Sequence, residues 1–250
     1  MLNHMKPILF NTEMVRAILE GRKTVTRRVV KLKYRNTHLE MFTNKYGTRL
    51  IEKQNEEPGV TTIRNPDGTT THTLLAYIER DPPYRPGDIL YVRETWCDPG
   101  GTGWPILYKG DMPMHWDAED TETGIAVDLK AADYKWRPSI HMPREAARIF
   151  LRVTRMGAER VQDITDEGAW KEGCVDRDDF RRVWNDCYSK PRPVKDEGGI
   201  ITYYESYPWD DICETRTYRG EPWYVIGNPW TWVIEFEEIR KEEAYGLDRH

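Results

Sequence analysis

The chain has 250 residues, with 37 lysines and arginines against 42 aspartates and glutamates, and a formal charge of -5. This size and 38 % apolar content are enough for one large domain with a core, and the net acidity excludes a protein that coats nucleic acid through bulk charge alone. No apolar run approaches the roughly 20 residues of a membrane helix, and the N-terminus lacks the layout of a signal peptide. We therefore predict a cytoplasmic protein with no membrane partner.

Residues that carry metal or cofactor chemistry form no recognisable motif. The four cysteines make no C-x-x-C pair and the six histidines make no H-x-H or H-E-x-x-H pair, so neither a metal site nor a disulfide framework is predicted. The chain also lacks the G-x-x-x-x-G-K-[ST] and complete G-x-G-x-x-G loops that cradle nucleotide phosphates. We expect no metal and no cofactor, and the sequence argues against ATP-driven chemistry.

The first predicted elements are a short strand over Ile8–Phe10 and a helix that begins at Thr12. Apolar side chains recur at helical spacing over residues 14–19, and Gly21 supplies a common helix stop. A polar, turn-rich segment follows at residues 32–80. There, β-branched stretches flank Asn65–Gly68, which is typical of a hairpin, and a second hairpin is predicted around Asn44–Gly47.

Pro86 and Gly87 stand in the order that a type II turn prefers, and they lead into a predicted strand over 89–93. Residues 97–136 are loop-like, with short strands predicted only at 106–109 and 126–129. A strand then alternates apolar side chains over 147–153, a short helix follows Thr165 and ends at Gly173, and a second helix spans 178–188. Residues 189–221 are predicted to be irregular, and a final strand is predicted over 231–238.

Regular βαβ spacing is missing from this order of elements, which argues against a parallel Rossmann sheet. We predict an α+β fold built on a small mixed β-barrel with flanking short helices and hairpin or loop inserts. Residues 1–250 are treated as a single domain, with a core at about 6–31, 81–96, 137–188 and 223–240 and inserts at about 32–80, 97–136 and 189–222.

A basic segment leaves the first predicted helix and combines cations with hydroxyl groups. Its members are Arg22, Lys23, Thr24, Thr26, Arg27 and Arg28. The helix dipole favours cations at a helix C-terminus, but it does not explain the threonines. Lys23 and Thr26 are three positions apart and would face opposite sides of a regular strand, so only a turn or bend brings both to one cleft.

Four blocks of the sequence together resemble the ASCH domain family. They are Gly21–Arg28, Pro86–Leu90, Asp163–Gly173 with Ala169 and Glu172 inside it, and Trp232–Phe236. The resemblance implies a PUA-like barrel associated with RNA, DNA or modified nucleosides as partners. The layout around Trp136–Arg144 is most similar to longer ASCH-like proteins of phages and prophages, which implies the cytoplasm of a bacterial or phage-infected cell.

One enzymatic branch of that family, the N4-acetylcytidine amidohydrolases, uses a lysine, a threonine and a glutamate. By motif position these resemble Lys23, Thr26 and Glu172, which implies a metal-independent amidohydrolase that removes an acyl group from a cytidine-type base. Chemically, a threonine hydroxyl attacks only after a base takes its proton, and a lysine serves as that base when burial or neighbouring arginines lower its pKa. Glu172 would orient the lysine or return the proton to the departing amine, and Arg28 or backbone N–H groups would hold the oxyanion.

Other readings of the same residues stay open at this point. Lys23 and Glu172 also suit an ion pair that braces the barrel, and the basic cleft also suits a noncatalytic module that binds RNA or a modified base, or a ribonuclease. The sequence does not determine the oligomeric state. The residues predicted to contact substrate or nucleic acid are Arg22, Thr24, Arg27, Arg28, Arg93, Trp96, His141 and Arg144.

Overall fold

A computed structural model describes residues 5–34, 37–45, 47–54, 61–64, 70–73, 77–98, 106–111 and 135–247, and every structural statement below concerns these ranges. Within them the chain is α+β, with many strands and few, short helices. The strands are β1 (Lys6–Leu9), β2 (Val25–Val29), β3 (Thr37–Asn44), β4 (Gly47–Gln54), β5 (Thr61–Arg64), β6 (Thr70–Thr73), β7 (Tyr77–Glu79), β8 (Ile89–Arg93), β9 (Trp96–Cys97), β10 (Leu107–Tyr108), β11 (Phe150–Arg160), β12 (Arg192–Lys195), β13 (Ile201–Ser206), β14 (Cys213–Tyr218), β15 (Glu221–Ile226) and β16 (Trp230–Ile239). The α-helices are α1 (Thr12–Leu19), α2 (Asp166–Lys171), α3 (Arg177–Tyr188) and α4 (Lys241–Leu247). In this part of the chain, no helix has both the length and the apolar composition that crossing a bilayer requires.

Five strands form a central mixed sheet in the order β1-β8-β11-β16-β2. β1 and β8 are parallel, and the other neighbouring pairs are antiparallel. Ile234 and Phe236 of β16 point into a buried apolar core to which α1 contributes Val15 and Ile18. Packing of α1 against the sheet fixes the point at which the chain leaves the helix and enters β2.

The central sheet curls, and its two edge strands approach each other. A flat five-stranded sheet would separate its edges by about 19 Å at about 4.8 Å per strand. Here Arg28 of β2 donates a hydrogen bond from Nη2 to the carbonyl oxygen of Leu9, at the end of β1, over 2.6 Å. The strand pairing in the described residues does not close into a ring, so the α+β class is confirmed and the barrel stays a prediction.

The insert at residues 32–80 contains the hairpins that the turn residues predict. β3 and β4 pair in antiparallel register around Asn44 and Gly47, and β7 adds a third strand. β5 and β6 are also antiparallel. The turn predicted at 65–68 and the strand predicted at 126–129 lie outside the described residues.

The segment at 189–221 was predicted to be irregular, and that prediction is wrong. It forms β12, β13 and β14, which join β15 in a four-stranded sheet of order β12-β13-β15-β14. The runs ITYYES and CETRTY are rich in β-branched and aromatic residues, which favour strands. Gly199 and Gly220 have positive φ angles and form turns between strands. Polar residues interrupt the apolar alternation, so the pattern was not recognised as a sheet.

Two further boundaries differ from the sequence prediction. The helix α1 is capped by Asn11 rather than Thr12, because the Asn11 side chain accepts a hydrogen bond of 2.8 Å from the Met14 N–H. The strand predicted over 147–153 is β11, which begins only at Phe150 because Arg144–Ala146 form a short 3-10 turn.

Candidate active site

A tight turn after α1 directs Lys23 into the protein. The helix ends at Leu19, Gly21 has φ +71°, and the backbone N–H groups of Arg22 and Lys23 both donate to the carbonyl of Ala17 over 2.9 Å. The strand β2 begins two residues later, at Val25. The bend that the sequence predicts between Lys23 and Thr26 therefore lies just before β2.

Lys23 is completely buried and forms three hydrogen bonds. Its ammonium donates to a carboxylate oxygen of Glu172 over 2.5 Å, and to the main-chain carbonyls of Glu172 and Val25 over 2.8 Å each. These acceptors match the three N–H donors of a lysine ammonium. Burial lowers the pKa of Lys23, and the neighbouring Glu172 carboxylate opposes that shift.

Glu172 lies between two cations. Its second carboxylate oxygen accepts a hydrogen bond of 3.2 Å from Arg27, whose Nε also donates to Glu159 over 2.7 Å. The side chains of Lys23, Arg27 and Glu172 are each less than one-tenth exposed. Buried charges of this kind persist only when they are paired, and each of these three charges is paired.

Gly173 allows the helix α1 and the end of α2 to come close enough for this pair to form. Its φ is +88°, and a Cβ at this position would lie 2.8 Å from the Cβ of Ala17 and 3.4 Å from that of Lys23. Glu172 is the residue just before it, at the C-cap of α2. A larger residue at 173 would push the turn that carries Lys23 away from Glu172.

Replacing Gly173 by alanine is expected to lower the free energy of unfolding by about 2–4 kcal/mol, because a positive φ and a short contact both oppose a side chain. The matched control is Gly199→Ala, where φ is +82° but nothing lies within 4 Å of the added Cβ. That variant should lose only about 1 kcal/mol. Urea denaturation followed by circular dichroism measures both losses, and equal losses would contradict the close-contact argument.

A cavity of about 150 Å³ opens beside the buried pair, and we call it the Thr26 cavity. Thr26 and Glu172 line it together, whereas Lys23 lies behind Glu172 and does not line it. The residues that line this cavity are Leu9, Asn11, Met14, Thr26, Arg27, Arg28, Glu172, Phe180, Val183, Trp184, Cys187, Tyr188 and Arg192. The sequence predicts the chemistry for Lys23, Thr26, Glu172 and Arg28. Of these, Thr26, Arg28 and Glu172 line the cavity, and Lys23 contacts Glu172.

One wall of the Thr26 cavity is an aromatic stripe on α3. Phe180, Trp184 and Tyr188 are spaced four residues apart, and the rings of Trp184 and Tyr188 are 4.3 Å apart with an interplanar angle of 31°. Sequence reasoning placed this helix correctly but assigned these rings no role in the site. The i, i+4, i+8 spacing was the signal that could have identified them, because residues four apart share one helix face. Arg192 was missed because it belongs to β12, in the segment predicted to be irregular.

Two residues of the basic segment point away from the cavity. Arg22 is exposed, pairs with Glu20 and donates to the Gly173 carbonyl. Thr24 is exposed, and its N–H donates to the Lys171 carbonyl. Neither residue lines the Thr26 cavity, so the geometry gives them no substrate contact there.

Four other residues predicted to contact substrate or nucleic acid lie outside the lining of the Thr26 cavity. Trp96, predicted to contact substrate or nucleic acid, is 4 % exposed and packs in a separate apolar core. Arg93 donates to the Ile140 carbonyl and lies over the Tyr91 ring. His141 is exposed and Arg144 is half-buried, near Tyr245. None of these four predicted residues, Arg93, Trp96, His141 and Arg144, lines the Thr26 cavity.

A second nucleophilic group, the Cys174 thiol, lies two residues after Glu172. Burial raises the pKa of Cys174 to about 12, so this thiol next to the buried pair is protonated at neutral pH. The described residues hold no group of three or more His, Cys, Asp or Glu side chains that could bind a metal ion. The Cys187 thiol also lines the Thr26 cavity, and burial raises its pKa. Among the described residues that line this cavity, Thr26 supplies the only aliphatic hydroxyl.

A larger cavity of about 260 Å³ lies on the far side of Arg27. Its exposed charges pair with one another, Arg155 with Glu235 over 3.1 Å and Lys171 with Glu167 over 2.6 Å. Exposed pairs of this kind are common on protein surfaces and contribute little. Arg27 lines both cavities, but of the two only the Thr26 cavity is lined by Thr26 and Glu172, so it is the better candidate for chemistry.

Comparison of the chain with protein-family models, curated proteins and solved structures finds no match. The resemblance to the ASCH family accordingly rests on the sequence blocks described above.

Proposed function

We propose that this chain is an ASCH-like protein whose curled sheet is a PUA-like barrel, and that it removes an acyl group from N4-acylcytidine-type bases. The observation that carries the proposal is that Thr26 and Glu172 both line one cavity, with the buried Lys23 ammonium 2.5 Å from the Glu172 carboxylate. A nucleophile beside a proton acceptor that a third group orients is the arrangement required for acyl transfer.

The cavity also suits a flat heterocycle. Half-buried Tyr188 contributes a ring to the cavity lining, and a ring of this kind stacks on nucleobases, whereas Trp184 is only 3 % exposed and packs in the core beside it. Its deep end is polar, because Thr26, Arg27 and Glu172 are buried there. A base that stacks on the aromatic wall would turn its exocyclic acylated amine toward these groups.

In the proposed reaction, Thr26 Oγ1 attacks the acyl carbon, and its proton passes to the Glu172 carboxylate. The C–N4 bond then breaks as the same proton moves to N4, which releases the free exocyclic amine. Water hydrolyses the threonine ester to the carboxylic acid and restores the hydroxyl. The sequence assigned the base to Lys23, but the geometry favours Glu172, because Lys23 donates all three ammonium protons and lies behind it. Lys23 then positions that carboxylate, and Arg27 places positive charge near the forming oxyanion.

A noncatalytic module that binds a modified base is the second candidate. It is favoured by the complete pairing of Lys23, Arg27 and Glu172, since a fully satisfied network is also what a rigid binding site would need. In that case the cavity would bind the base and leave the acyl bond intact.

The test is incubation of the purified protein with N4-acetylcytidine and, separately, with a short end-labelled RNA, followed by chromatography. Release of cytidine and acetate supports the proposed amidohydrolase. Scission of the strand would instead identify a ribonuclease, and salt-sensitive binding without either product would identify a binding module. Heat-denatured protein controls for spontaneous hydrolysis.

A further inference from the structure

The outer part of the Thr26 cavity carries two arginines, Arg28 and Arg192. Each is held in place by one carbonyl and one ring. Arg28 donates to the Leu9 carbonyl and its guanidinium lies 5.2 Å from the centre of the Phe10 ring. Arg192 donates to the Cys187 carbonyl and lies 5.3 Å from the Tyr188 ring centre.

Neither arginine is neutralised by a carboxylate. No ion pair joins Arg28 or Arg192 to an acidic side chain of the described residues, in contrast to Arg27 in the interior. One nitrogen of each guanidinium donates to a carbonyl, and a guanidinium carries five N–H donors in all. The remaining donors are therefore available at the mouth of the cavity.

Both arginines lie near a third residue of the cavity lining, Cys187. Burial raises the pKa of the Cys187 thiol, and the positive charges of Arg192 and Arg28 both oppose that rise. Arg28 and Arg192 thus line one cavity together with Cys187. In the interior, Glu172 and Glu159 balance the charges of Lys23 and Arg27, so the excess positive charge of this cavity belongs to its mouth.

We infer that the ligand of this cavity carries a phosphate, which Arg28 and Arg192 bind while the base enters between Thr26 and Tyr188. The inference rests on the proposed function for the identity of the base, and it narrows the substrate from a free nucleoside to a phosphorylated one. Guanidinium groups bind phosphate through short, charge-assisted hydrogen bonds and are stabilised by stacking on rings, as both arginines are here.

The same geometry gives the insert at 189–222 a role in the site. Arg192 is the first residue of β12. Its backbone lies opposite that of Glu205 of β13 in the strand register of the four-stranded insert sheet. The insert sheet therefore fixes the backbone that carries one of the two phosphate-binding arginines. A shortened chain without this sheet would keep the deep end of the cavity but lose half of its mouth.

The experiment measures binding by isothermal titration calorimetry at low salt, with cytidine, cytidine 5'-monophosphate and a cytidine tetranucleotide as probes. We expect the monophosphate to bind at least about 10-fold more tightly than cytidine, from one or two charge-assisted hydrogen bonds. Arg192→Gln and Arg28→Gln should each reduce this preference to about 2-fold. The matched control is Arg181→Gln, an exposed arginine of α3 that does not line the cavity and should keep the full preference.

Equal affinity of cytidine and its monophosphate would overturn the inference, as would a preference that both variants retain. If the tetranucleotide binds more tightly than the monophosphate, the phosphate belongs to a nucleic-acid strand. If the two bind equally, the ligand is a mononucleotide. Both outcomes support the inference. These probes carry no acyl group, so Arg192-dependent binding of the monophosphate without any deacylation of N4-acetylcytidine or its 5'-monophosphate would refute the amidohydrolase and keep the phosphate site.

Discussion

Replacing Thr26 by valine is expected to reduce kcat/KM for deacylation of N4-acetylcytidine by at least about 1,000-fold, since loss of an activated nucleophile removes most of the rate enhancement. Valine keeps the β-branched shape of the side chain within β2, where Thr26 pairs with Ile234. The free energy of unfolding should change by only about 1 kcal/mol. Steady-state kinetics and urea denaturation of the same preparation separate loss of activity from loss of fold.

The matched control is Thr154→Val, which removes the hydroxyl of an exposed threonine in β11 of the same sheet. It should retain full activity. A Thr26→Val variant that deacylates at the wild-type rate would refute the role of Thr26 as nucleophile, and the reaction would then need direct attack by water.

Replacing Lys23 by methionine is expected to lower the free energy of unfolding by about 3–5 kcal/mol, because it leaves the buried Glu172 carboxylate with one of its two cationic partners. Methionine is of similar length and fits the apolar stem of the lysine. Deacylation should also be lost, since Glu172 would no longer be held in place by the Lys23 ammonium. Urea denaturation measures the first effect, and kinetics on the folded fraction measures the second.

The double variant Lys23→Met, Glu172→Gln separates the structural role of this pair from its catalytic role. Removing both charges eliminates the unpaired carboxylate, so at least half of the stability lost in the single variant should return. Activity should stay absent because the proton acceptor is gone. A double variant that regains both stability and activity would mean that the pair only braces the fold.

The sequence was informative where local rules act alone. The stop at Gly21, the cap at Thr165 and the hairpin at Asn44–Gly47 follow from residues a few positions apart, and each is found. The meeting of Lys23 with Glu172, 149 positions apart, was reached through family resemblance. Spacing alone could not supply it, because the contact depends on how closely α1 approaches Gly173.

Other parts of the site could not be derived because they depend on tertiary packing. Trp96 was predicted to contact substrate or nucleic acid, but a large aromatic side chain packs in a core as readily as against a ligand, and only the fold decides between them. Arg192 belongs to a segment predicted to be irregular. Its place at the cavity mouth follows from the insert sheet, whose strands are joined by non-local pairing that local patterns do not reveal.

The most direct measurement is a crystal structure of the Thr26→Val variant grown with saturating N4-acetylcytidine 5'-monophosphate. We predict the base in the Thr26 cavity beside Tyr188, with the acyl carbon within about 3.5 Å of the side chain at position 26, the separation typical of a reactive geometry. The phosphate should lie between Arg28 and Arg192. A ligand bound at another surface, or one whose acyl group points away from Glu172, would contradict both the reaction and its site.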